Sequence, residues 1–98
     1  MFLVMIQIDK NKIEDSALEA MLTKHRQWFK SHIDQGNFFL AGRLTETPLA
    51  GFVLADSDDE ESLKEILQED IFWKDELATY QVQPCVLGLV SHALKSYL

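Results

Sequence analysis

The chain is poor in cysteine, in basic residues and in long apolar runs, and each shortage excludes a class of protein. A single cysteine, Cys85, cannot form a disulfide within the chain and suggests a reducing compartment. Nine basic against sixteen acidic residues leave a formal net charge of −7, which argues against nucleic-acid or anionic-membrane partners. No run approaches the roughly 20 apolar residues that span a bilayer, and no signal-peptide pattern precedes the first apolar segment. We therefore expect a cytoplasmic protein.

The remaining composition is ordinary for one globular domain. The chain has 98 residues, 47% of them apolar, so we expect a single domain over residues 1–98. The sequence contains no metal-ligand spacing, glycine-rich phosphate loop or nucleophile elbow. We therefore expect neither a metal nor a cofactor.

Apolar periodicity predicts six regular elements in the order strand, helix, strand, strand, helix, strand. The predicted strands cover residues 2–8, 38–44, 51–55 and about 79–88, and Pro84 marks an edge or a bulge in the last. A long helix is predicted from Ser16 to Gln35, ended by Gly36, and a shorter one after residues 57–60; both starts fit the capping-box pattern. Residues 91–98 form either a short helix or a frayed end. This order predicts a ferredoxin-like α+β fold, an antiparallel sheet with two helices on one face.

The first strand is apolar on both of its faces. One alternating set is Phe2, Val4, Ile6 and Ile8, and the other contains Leu3 and Met5. Two helices cover only one face of a sheet, and a small protein rarely leaves a large apolar surface open to solvent. A second copy of the chain is the simplest cover, so we expect a homodimer that packs sheet face against sheet face.

His25 is the residue with the clearest chemical potential. It continues the apolar stripe of the long predicted helix, which also contains Leu18, Met21, Leu22, Trp28 and Phe29. Histidine is the side chain whose ordinary pKa lies near neutrality, so an inward-facing imidazole has two interpretations. It is either a core residue satisfied by a backbone group, or a proton-transfer group on the floor of a site.

The other candidate residues carry weaker signals. His32 is interpreted as a surface or dimer-edge residue, and His92 has no assigned role. Cys85 is interpreted as a strand residue without a reactive thiolate, since no basic residue is near it in sequence. The large aromatic residues are interpreted as core, although Phe72 is the one best placed to line a pocket because it lies close to Asp70.

Taken together, the order and spacing of several short motifs resemble the YciI-like (YCII-related) proteins, small relatives of the dimeric α+β barrels. The resemblance covers nearly the whole chain. The matching pieces are the first apolar strand, His25 in the first helix, residues 39–42 on the second strand, residues 70–72 after the second helix, Leu77, and residues 82–84.

The resemblance implies an active-site pair formed by His25 and Asp70. It implies an enzyme without a cofactor that uses acid/base chemistry, as an isomerase or as a hydrolase/lyase-like enzyme, on a small carboxylate-bearing or enolisable compound. Phe72 would line its pocket. Arg43 replaces a proline of the family pattern, and it either anchors a substrate carboxylate or points to solvent.

A second departure concerns the residue after Asp70. The family's usual Asp-Pro-Phe reads Asp70, Ile71, Phe72 in this chain, so the proline that would stiffen the turn is absent. This difference keeps an alternative open, in which the protein is a non-catalytic small-molecule-binding or accessory dimer of the same family.

Overall fold

The protein contains a four-stranded antiparallel sheet. The computed structural model describes residues 1–97. The strands are β1 (Phe2–Ile8), β2 (Phe38–Arg43), β3 (Ala50–Ala55) and β4 (Ala78–Pro84), in the spatial order β2-β3-β1-β4. Helix α1 (Asp15–Gln35) follows β1, and α2 (Glu60–Leu67) follows β3. This βαββαβ order and antiparallel sheet confirm the predicted ferredoxin-like α+β fold.

The hydrophobic core lies between one face of the sheet and the two helices. Alternate residues of β1, namely Phe2, Val4, Ile6 and Ile8, are buried and belong to one cluster with Trp28 of α1, Leu63 and Leu67 of α2, and Phe72. The opposite alternation of β1, Leu3 and Met5, is only half-buried. The two faces of the strand are therefore apolar, as predicted, but only one of them is covered within the chain.

The helix ends follow the predictions in part. Gly36 ends α1 in the left-handed conformation with φ of 82°, as its position after the apolar stripe predicted. The capping box at Ser16 was a wrong prediction, because α1 begins at Asp15 after Glu14 and has no side-chain cap. The second predicted capping box, residues 57–60, was wrong because its first residue, Ser57, is not the N-cap of α2. The cap of α2 is Asp59, whose carboxylate accepts the Ser62 N–H at 2.7 Å.

Strand β4 is shorter than the predicted range of 79–88. Pro84 pairs with Phe2, the first residue of β1, and the Cys85 N–H donates to the Met1 carbonyl at 3.0 Å. The ladder between β1 and β4 ends at this bond. Cys85 is therefore an exposed residue just after the strand, which corrects its interpretation as a strand residue.

The segment that follows β4 contains a 3-10 turn at His92–Tyr97, so the short-helix alternative applies there, and Leu98 lies outside the described residues. Two further 3-10 turns, Lys10–Lys12 and Lys74–Glu76, join the larger elements. Among the described residues, no helix combines the length and apolar character required to cross a bilayer.

Candidate active site

The structure brings His25 and Asp70 together across 45 residues of sequence. The His25 Nδ1 atom lies 2.7 Å from the Asp70 Oδ1 atom. His25 projects from α1 and is 8% exposed, whereas Asp70 is 2% exposed. Asp70 sits in the turn after α2, where its N–H donates to the Leu67 carbonyl and its own carbonyl accepts the Trp73 N–H. The side chains that the sequence paired by resemblance are thus direct hydrogen-bond partners.

Tyr80 of β4 is a third member of this arrangement. Its hydroxyl donates to the Asp70 Oδ2 atom at 2.6 Å, so both carboxylate oxygens are hydrogen-bonded. Burial, together with the bond to this carboxylate, raises the pKa of the Tyr80 hydroxyl far above its usual value of 10.0. Tyr80 therefore stays protonated and acts as a donor at neutral pH. Sequence analysis missed it, although the alternation of β4 places it opposite Ile6 on the inward face.

The second ring nitrogen of His25 is open to solutes. A carboxylate only accepts hydrogen bonds, so Nδ1 carries a hydrogen, and in the neutral imidazole Nε2 then presents a lone pair. Within residues 1–97, the Nε2 atom of His25 has no protein hydrogen-bond partner. Every fully buried side-chain nitrogen or oxygen atom of these residues does have a partner, so Nε2 is not one of the fully buried atoms. It follows that Nε2 reaches accessible surface. His25 also lines a cavity of the described chain.

That cavity has a volume of about 550 Å³ and is bounded by α1, β1, β2, β3 and the loop between β2 and β3. Such a volume falls in the range of small-molecule sites. Most of its wall is apolar and comes from Ile6, Ile8, Leu22, Phe29, Leu44 and Leu49. A ligand with a compact apolar body would therefore be dehydrated on binding beside the imidazole.

The charged groups of the cavity are all basic. Arg43 pairs with Gly51 on the face of the sheet that also carries Ile6, and it lines the cavity together with Arg26. Arg26 follows His25 in sequence and was not predicted; its Nη2 atom lies 3.8 Å from the Glu19 Oε1 atom, a weak exposed contact. No aspartate or glutamate lines the cavity among the described residues. In a chain of net charge −7, such a cavity favours an anion.

Phe72 occupies a different position from the one expected. Its side chain is fully buried and does not line the cavity. Its ring instead packs edge-on against the His25 imidazole, with 5.1 Å between centroids. The aromatic ring on the cavity side is that of Phe29, at 4.5 Å from the imidazole. Phe72 thus contacts the imidazole from the hydrophobic core and not from the cavity.

His32 is also placed differently from the prediction, since it is buried and not on the surface. Its Nε2 atom lies 2.7 Å from the Glu69 Oε1 atom, and the Asn37 amide donates to its Nδ1 atom at 3.0 Å. Two successive acidic residues, Glu69 and Asp70, therefore bind two histidines of the same helix. Because the turn after α2 is attached to α1 at both points, Asp70 is held against His25.

The model of the YCII-related domain matches residues 1–86. The chain belongs to the YCII family. The matched range of the YCII domain includes His25, Asp70, Tyr80 and Arg43. No curated protein matches the chain. Within residues 1–97, no group of three or more histidine, cysteine, aspartate or glutamate side chains is arranged to hold a metal ion.

Proposed function

We propose that this YCII protein is an acid/base enzyme that acts without a cofactor on a small carboxylate-bearing or enolisable compound. One observation carries the proposal: the His25 imidazole is bonded to a buried carboxylate through Nδ1, its Nε2 has no protein partner, and the residue lines a cavity. A histidine in that arrangement is a suitable general base, because the carboxylate holds the ring in one tautomer and stabilises the imidazolium that forms.

The reaction needs only proton transfer. Nε2 removes a proton from a carbon next to the substrate carbonyl, and the resulting imidazolium is stabilised by the Asp70 carboxylate. Tyr80 holds the other carboxylate oxygen, so Asp70 keeps its orientation while the charge develops. Return of the proton to another substrate atom gives an isomerisation, and its delivery to a leaving group gives an elimination.

The basic side chains of the cavity account for the carboxylate in the proposed substrate. Arg43 and Arg26 line the same cavity as His25, and each guanidinium can form a bidentate pair with a carboxylate. Anchoring the acid group there would leave the reacting carbon near the imidazole, over the apolar surface of Ile6 and Leu22.

We also propose that the protein is a homodimer through the open sheet face. On that face, half-buried Met5 lies opposite half-buried Phe52, half-buried Leu3 lies opposite Leu54, which is already buried within the chain, and half-buried Leu40 of β2 extends the same apolar area. A second copy presents the same surface, which suits a twofold interface. The lone cysteine is consistent with our further expectation of a cytoplasmic location.

The experiment begins with ligand discovery and then removes the imidazole. Thermal-shift screening of small keto and unsaturated carboxylic acids identifies binders, since a ligand that binds the folded state raises its stability. NMR then follows exchange of substrate C–H for deuterium in D₂O. We expect His25→Gln and Asp70→Asn each to lower the exchange rate by about 10²–10⁴-fold. His92→Gln, an exposed histidine outside the cavity, is the matched control and should leave the rate unchanged.

Two results would contradict the proposal. Full exchange activity in a folded His25→Gln protein would show that the imidazole does not transfer the proton. Tight carboxylate binding without any exchange or turnover in the wild type would favour the binding or accessory dimer instead.

A further inference from the structure

The chain changes character after β4. Residues 86–97, called the arm here, contain no acidic residue, whereas all sixteen acidic residues lie at or before Glu76. The arm also contains most of the exposed large apolar side chains of the described chain: Val86, Leu87, Leu89, Val90, Leu94 and Tyr97. Leu89 is 97% exposed and Val86 is 88% exposed. This composition is the opposite of a solvated, disordered tail, which has few apolar and many charged residues.

The arm contributes neither core residues nor the hydrogen bonds of Ser91 and Ser96 to the rest of its own chain. The last backbone hydrogen bond before it joins Cys85 to Met1, and the side-chain hydrogen bonds of Ser91 and Ser96 stay within the arm. No arm residue belongs to the hydrophobic core of residues 1–97. Exposed apolar side chains that are concentrated in one short segment in this way indicate an interaction site.

We propose that the arm packs against a second copy of this chain, on the turn between α1 and β2. Outside the arm, the exposed large apolar side chains of the described residues are Ile33 and Phe39, which flank that turn. Phe38 and Pro84 lie at the same end of the sheet, since both align with Ala55 and Phe2 across the strands. Within each copy, the arm therefore begins at the same end of the sheet as the proposed docking surface for the other copy's arm.

Charge supports a second copy as the occupant. Lys95 is the charged side chain of the arm, and the rest of the chain has eight basic and sixteen acidic residues. A weakly basic arm is attracted to an acidic body, and every copy of the chain supplies both surfaces. Two arms can then be exchanged about one twofold axis. The match to the YCII domain ends at residue 86, so the inference does not depend on the proposed function.

Association measurements on the full-length protein test the proposal. Light scattering or sedimentation over a concentration series gives the dimer dissociation constant. We expect Leu89→Glu and Phe39→Glu each to raise it by about 100-fold, because each places a charge in an apolar contact. Ser91→Asp is the matched control: it adds the same charge to the arm, retains an acceptor for the Ala93 N–H, and should change the constant less than about twofold.

NMR on mixed samples locates the contact directly. Isotope-labelled and unlabelled chains are combined, and intermolecular contacts are expected between the Leu89 or Val90 methyl groups and the Phe39 ring. The proposal is overturned by a wild type that stays monomeric at millimolar concentration, or by a dimer whose strength Leu89→Glu does not change. Arm contacts confined to the same chain would overturn it as well.

Discussion

Asp70 shows what a buried carboxylate requires from its neighbours. A charged group that is 2% exposed loses most of its hydration, and only specific hydrogen bonds compensate for that loss. His25 and Tyr80 provide one bond to each oxygen. The same two bonds orient the carboxylate for chemistry, so stability and the proposed activity depend on the same contacts.

Replacing Tyr80 by Phe tests how much the hydrogen bond from Tyr80 to Asp70 contributes to stability. The variant leaves one Asp70 oxygen without its donor, and we expect a loss of about 1.5–3 kcal/mol in the free energy of unfolding, measured with urea. The control is Tyr97→Phe, because the Tyr97 side chain is exposed in the arm. An unchanged free energy of unfolding in Tyr80→Phe would contradict the importance of the bond.

The difference in stability between wild type and Tyr80→Phe should depend on pH, and the direction of this dependence follows from the pKa of Tyr80. The pKa of Tyr80 is higher in the folded state than in the unfolded state, mainly because of burial. The contribution of Tyr80 to stability is therefore complete below about pH 10, and it falls above pH 10 as the unfolded tyrosine ionises. We expect the stability advantage of wild type over Tyr80→Phe to be constant from pH 7 to 9 and to shrink at higher pH.

At the scale of elements, strands β2 and β3 approach each other closely at Gly42 and Gly51, which both line the cavity. A Cβ atom added to Gly51 would lie 2.7 Å from the Gly42 carbonyl oxygen, too close for any real contact with backbone. The close approach of β2 and β3 therefore requires glycine at this position. Gly51 also lines the cavity, so the same approach shapes the proposed site.

Gly51→Ala should separate these strands. We expect a loss of about 1–3 kcal/mol in stability, together with weaker ligand binding, since the strand carrying Arg43 would move. Gly88→Ala is the matched control, because a Cβ atom at Gly88 meets nothing within 4 Å. Equal stabilities of the two variants in urea would show that β2 and β3 adjust without cost.

At the scale of the whole molecule, the proposed sheet-face dimer can be tested separately from the arm. Met5→Lys places a charge in the centre of the open face, and we expect it to raise the dimer dissociation constant by about 100-fold. Gln27→Lys adds the same charge on the exposed side of α1 and should have little effect. A Met5→Lys protein that associates like wild type would exclude this face as the interface.

Local pattern determined much of this protein. Apolar alternation and helical spacing predicted the order of the elements, the inward direction of His25 and the end of α1 at Gly36. These features depend on neighbours within a few residues, because the backbone repeat alone decides which side chains share a face. The His25–Asp70 pair came from resemblance to a family and not from periodicity.

Tertiary structure decided which distant groups meet. Tyr80 reaches Asp70, His32 is buried against Glu69, Arg26 joins Arg43 in one cavity, and Phe72 packs behind the imidazole. Each of these contacts depends on how the segments after α2 and β2 pack relative to α1, and on which side chains are excluded from the core. Sequence spacing does not predict these contacts, because it contains no information about how separate elements pack against one another.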